Sequence, residues 1–101
     1  MKAIIGGKKY DTTTATVVGM DSYGGVGDFD AWDAGLYVTR KGQFFLAGRG
    51  GPNTRWARST GQNSWSGGSG IHLLDVEEAR EWAERHLDSD TVEKFFDIEQ
   101  G

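Results

Sequence analysis

Residues 70–87 read GIHLLDVEEAREWAERHL, and the period of the apolar residues changes in the middle. Gly70 to Leu74 is a short strand-like run in which Ile71 and Leu73 share one face and His72 points the other way, towards solvent. From Asp75 onward the apolar residues recur at helical spacing. Val76, Ala79, Ala83 and Leu87 fall on one side of a helical wheel, with Trp82 and His86 flanking them. Asp75 and Glu78 form a capping-box pair, with Asp in place of the more usual Ser or Thr, and this sets the start of the helix. A chain of strands that ends in helices predicts an α+β domain.

Upstream, the strand signals are short. KAII (2–5) and GGKKYD (6–11) read as two small strands around a turn, and TTATVVGM (13–20) is rich in β-branched residues. A glycine-rich loop leads into DFDAW (28–32), where Phe29 and Ala31 alternate with Asp28 and Asp30. LYVTRKGQFFLAG (36–48) is the clearest hairpin, turning at Arg40-Lys41-Gly42 with glycine where positive φ is required. Residues 48–70 are too polar and glycine-rich to pack continuously and read mostly as loop. SDTVEKFFDI (89–98) is a shorter second helix capped by Ser89 or Asp90, with Val92, Phe95, Phe96 and Ile98 apolar. The expected architecture is one domain over residues 1–101: a β-rich part to residue 74, then two short helices over 75–101. The helices pack on one face of an antiparallel sheet of four to six short strands.

Composition excludes much chemistry. Without cysteine there is no disulfide and no thiolate metal site. No apolar run approaches the ~20 residues of a membrane helix, and MKAIIGGKKYD lacks the apolar centre of a signal peptide, so the expected location is the cytoplasm. The net charge of −4 conceals blocks. Residues 36–70 carry Arg40, Lys41, Arg49, Arg55 and Arg58 and no acid, whereas 71–101 carry ten acids against Arg80, Arg85 and Lys94. Segregation of this kind points to a surface used for association.

Catalytic constellations are hard to assemble from what remains. The two histidines, His72 and His86, read as surface and core-edge residues, and no local pattern announces a nucleophile with its base. Asp28, Asp30 and Asp33 start like a calcium loop, but Trp32, Asp33 and Thr39 stand where such a loop wants an acid or amide, a glycine and a glutamate. GRGG and GGSG lack the Lys-Ser/Thr ending of a phosphate loop. The expectation is a non-enzyme without metal or cofactor.

Two binding readings remain open. One uses Trp56, Trp65, Arg49, Arg55 and Arg58, since arginine with tryptophan can stack single-stranded bases or hold acidic peptides; alternatively these tryptophans fold into the core. The other uses Glu77, Glu81, Glu84 and Asp88, spaced i, i+4, i+7 and i+11 within ~60° of helical arc, with Asp28, Asp30 and Asp33 as a second patch. Along roughly 16 Å of helix such a row approaches the charge density of a nucleic-acid strand; it can equally be a solvated face.

The stretches GGKKYDTTTA, LYVTRKGQFFLAGRGGPNTRWA and GIHLLDVEEAREWAERHL together resemble a family of roughly hundred-residue proteins of phages and other bacterial mobile elements, with the segment from Leu36 to Pro52 the most specific part. The likeness extends to acidic anti-CRISPR inhibitors. It implies a partner in a host defence complex, a type I surveillance complex with a basic DNA-binding surface, blocked by imitation of DNA. Direct contact with nucleic acid, membrane or a small-molecule substrate is not implied.

Overall fold

The computed structural model describes residues 1–25 and 27–101; Val26, in the glycine-rich loop, lies outside the described residues. Among the described residues, eight strands and two helices follow in order: β1 (Lys2–Ile5), β2 (Lys8–Asp11), β3 (Thr16–Tyr23), β4 (Trp32–Val38), β5 (Phe44–Gly50), β6 (Arg58–Gly61), β7 (Ser64–Ser66), β8 (Gly68–Leu74), α1 (Val76–His86) and α2 (Ser89–Phe95). The fold is α+β, with a central antiparallel sheet ordered β3-β4-β5-β8 and two separate hairpins, β1-β2 and β6-β7.

Turn chemistry sets the centre of that sheet. Gly42 adopts φ 91° and donates its N–H to the Thr39 carbonyl at 2.9 Å, while the Thr39 N–H bonds the Gln43 carbonyl at 2.9 Å. This pins the β4-β5 register, placing Leu36 opposite Leu46 and Tyr37 opposite Phe45. Side chains alternate across the sheet, so neighbouring apolar residues serve different cores. Leu36, Phe44, Leu46 and Leu74 pack on one face against Ala79, Trp82, Ala83, Val92 and Phe96 of the helices, with Phe44 stacked on Phe96 at 5.1 Å between ring centroids. Phe45, Tyr37, Ala47 and Ile71 face the other way, where Tyr10 of β2 meets Phe45 edge-on at 5.8 Å. The β1-β2 hairpin thus covers the face that the helices leave open. Each large side chain sealed in this way contributes about 1.5–3 kcal/mol.

The capping box is present as read. Asp75 Oδ1 accepts the Glu78 N–H at 2.8 Å, and Glu78 Oε1 accepts the Asp75 N–H at 3.0 Å. The buried face of α1, however, is turned from the expected one. Val76 is 61% exposed, whereas Ala79, Trp82 and Ala83 are buried. Trp82 carries far more apolar area than Val76, so it swings the packed face round by about 60°.

Four other expectations are corrected. Residues 48–70 are not mostly loop: they hold the end of β5, the β6-β7 hairpin and the start of β8. That hairpin turns through Gln62-Asn63, with Asn63 at φ 59°, a conformation asparagine tolerates. DFDAW does not form a strand before Trp32, because Asp28 Oδ1 accepts the Asp30 N–H at 2.8 Å and closes a turn. The cap of α2 is Asp88, one residue earlier than expected, accepting the Thr91 N–H at 2.8 Å. His72 does point opposite to Ile71, yet it lies against Trp56 and is only partly open to solvent.

Candidate functional site

Turning the buried face of α1 towards Trp82 leaves the acidic row almost diametrically opposite it. Glu77, Glu81 and Glu84 are all exposed on that outer side. Arg80 lies beside the row, its Nη2 3.9 Å from Glu77 and its Nε 3.8 Å from Glu84. Both pairs are long and open to water, so each contributes little, about 0.2–1 kcal/mol. Glu81 has no ion-pair partner among the described residues.

Asp88 does not continue the same helix. Leu87 ends α1 in an extended conformation, and Asp88 begins α2 as its cap. Hydrogen bonds from the Thr91 side chain and backbone hold its carboxyl below the ordinary carboxylate range. It therefore stays ionised and exposed at the junction. Glu84 and Glu93 line one shallow depression between the helices, which carries the acidic surface onto α2. Sequence spacing missed Glu93 because the turn at Leu87 breaks helical phase.

The second acidic patch is divided. Asp28 and Asp33 share a depression with Arg49 and Arg58, and Asp33 Oδ2 lies 3.8 Å from Arg49 Nη2. Asp30 instead lines a cleft on the helix side of the sheet. Of the middle-segment arginines, Arg49 pairs with Asp33, and none forms an ion pair with the α1 row among the described residues.

That cleft, of about 480 Å³, was not legible as a site. Trp32 from β4, Trp56 and Arg55 from the β5-β6 connection, and Trp82, Arg85 and His86 from α1 form its walls. Gly48 makes room for Trp56: a Cβ there would stand 2.8 Å from the indole and 2.5 Å from the Asp33 carbonyl oxygen. Trp56 is buried and stacks on His72 at 4.4 Å with 16° between the planes. Arg55 lies over the Trp56 ring at 5.7 Å and donates from Nε to His72 Nδ1 at 3.2 Å. Accepting that bond puts the His72 proton on Nε2. Burial, then the nearby Arg55 charge, lower the His72 pKa from its ordinary value. His86 sits between Trp32 and Trp82, with Nδ1 3.0 Å from Asp21 Oδ2. Among the described residues no three His, Asp or Glu side chains converge as a metal set, and no helix is long and apolar enough to cross a membrane.

The two tryptophans of the middle segment part company. Trp56 belongs to the core, whereas Trp65, on β7, is 61% exposed. Compared with protein families, curated proteins and solved structures, the chain matches none of them.

Proposed function

We propose that this protein is a non-catalytic inhibitor that acts by occupancy, laying the acidic outer side of α1 and the α1-α2 junction into a basic groove shaped for DNA. The observation that carries the reading is the placement of Glu77, Glu81, Glu84 and Asp88, all exposed, on the side of the helices that packs against nothing. Arg80 is the one base that ion-pairs with the row among the described residues. Like charges at these spacings oppose helix formation, so the row is better explained by what it meets than by what it holds together. The resemblance to mobile-element proteins supplies the partner class: a host CRISPR-Cas surveillance complex of type I, whose target-DNA surface would be blocked in the bacterial cytoplasm.

The test is a Glu77→Lys, Glu81→Lys, Glu84→Lys, Asp88→Lys protein measured against such a complex. Loss of binding with an unchanged circular dichroism spectrum supports the reading. Undiminished inhibition by the folded variant removes the row from the mechanism. Binding by the native protein should also weaken steeply between about 50 and 500 mM salt, because exposed charges are screened within about 10 Å at 0.1 M.

A second reading rests on Trp65, held in the open on a polar hairpin that also carries Arg58. An exposed indole can stack a base of single-stranded nucleic acid, with Arg58 on the opposite face of the same hairpin, across from Ser66. A gel shift with single-stranded DNA that disappears in Trp65→Ala would favour it over imitation.

A further inference from the structure

The cleft beside α1 is independent of the acidic row and has a different character. Its walls carry the three tryptophans that are not free on the surface, together with two guanidiniums, in a protein where acids outnumber bases 15 to 11. Neither Arg55 nor Arg85 forms an ion pair among the described residues, although Arg85 stands in the most acidic stretch of the chain. Arg55 is also partly desolvated, which lowers its pKa from the ordinary value; the Glu78 charge nearby opposes that shift but makes no ion pair with it. No protein hydrogen bond engages the indole N–H of Trp32, Trp56 or Trp82 among the described residues, and none of the partly or fully buried ones is sealed from solvent. The volume, about 480 Å³, falls inside the ~300–1,000 Å³ of small-molecule sites.

We infer that this cleft binds a small planar aromatic anion, its ring against the tryptophan walls and its carboxylate or phosphate taken by Arg55 and Arg85. The chemistry is complementary on both counts. Indole faces stack flat rings, and guanidiniums bind carboxylate and phosphate oxygens through paired N–H donors. Asp30, the one carboxylate in the lining, opposes a bare anion and favours a ligand that also offers an N–H or O–H.

The experiment is a titration of ¹⁵N-labelled protein followed at its four indole N–H signals, in which Trp65 lies outside the cleft and serves as the internal control. Benzoate and adenosine 5′-monophosphate are the ring-bearing probes; inorganic phosphate and cyclohexanecarboxylate lack the aromatic ring. Saturable shifts of Trp32, Trp56 and Trp82 with Kd of about 1 mM or tighter, Trp65 unmoved, support the inference. Tighter binding of the nucleotide or of benzoate then identifies phosphate or carboxylate as the natural group. Arg85→Gln, an exposed helix substitution with little reason to disturb the fold, should weaken that binding about tenfold or more. The inference is overturned by the absence of saturable shifts at about 10 mM probe, by Trp65 moving in parallel, by phosphate alone binding as well as the ring-bearing probes, or by undiminished affinity in Arg85→Gln.

Discussion

Replacing Glu81 by Gln should make the protein more stable. On α1, Glu81 has Glu77, Glu78 and Glu84 at i−4, i−3 and i+3, and only Arg85 opposes them at i+4. Each like or unlike pair at these spacings is worth about 0.2–0.5 kcal/mol. Removing the charge abolishes three repulsions and one attraction, a net gain of two pairs, or about 0.4–1 kcal/mol at low salt. For a domain of this size that corresponds to a rise in Tm of about 2–6 °C. Urea denaturation followed by circular dichroism at low and high salt gives the measurement. The midpoint should move up without a change in slope, and the gain should shrink as salt rises, since Glu81 is exposed. Partner binding should move the opposite way. A Glu81→Gln protein that is equally or less stable at low salt would refute the claim that the row works against the fold.

Other consequences can be checked separately. Trp56→Ala should destabilise by about 3–5 kcal/mol, because it empties a buried site stacked on His72, whereas Trp65→Ala should change stability by less than about 0.5 kcal/mol; thermal melts of the two variants decide it. Gly48→Ala should cost about 1–3 kcal/mol by pressing a methyl group against the Asp33 carbonyl and the Trp56 ring, which urea titration would register. His72, with its folded pKa lowered, binds fewer protons when folded than when unfolded, so its contribution is intact above its unfolded value of 6.5 and is lost as pH falls from there through the folded value. His72→Gln should flatten that slope in denaturant midpoints taken from about pH 7 to pH 5. Asp88 behaves similarly at lower pH: its cap is present above the unfolded carboxylate value of 3.8 and fades as pH drops below it, visible as loss of the Thr91 amide shift.

The α1 helix was legible because its period, its capping box and its apolar stripe agree, and the β4-β5 hairpin because Gly42 marks a turn between two apolar runs. The β6-β7 hairpin was not, since its residues are open to water on both faces or nearly so and leave no alternation to read; backbone pairing and Asn63 hold it instead. The position of Val76 was misread because spacing treats apolar residues as equals, whereas the area of Trp82 decides which way the helix turns. Asp88 and Glu93 depend on a bend at Leu87 that no periodic pattern carries across. The cleft lay beyond reach for another reason. Its walls come from Trp32, Trp56 and Trp82, which only the strand order and the helix packing bring together.

The doubling of apolar faces on β5 has an effect on folding fidelity. In most antiparallel sheets a slip by one residue would throw greasy side chains into water, and that penalty enforces alignment. Here Phe44 and Leu46 serve one core and Phe45 and Ala47 the other, so a slipped strand would still be dry on both sides. What rejects the wrong alignment is bulk: Gly48 and Ala47 mark where little space exists, Phe45 and Leu46 where much does. The central strand is keyed by size in place of polarity, and enlarging its small residues would loosen the choice of partner before it unfolds the chain.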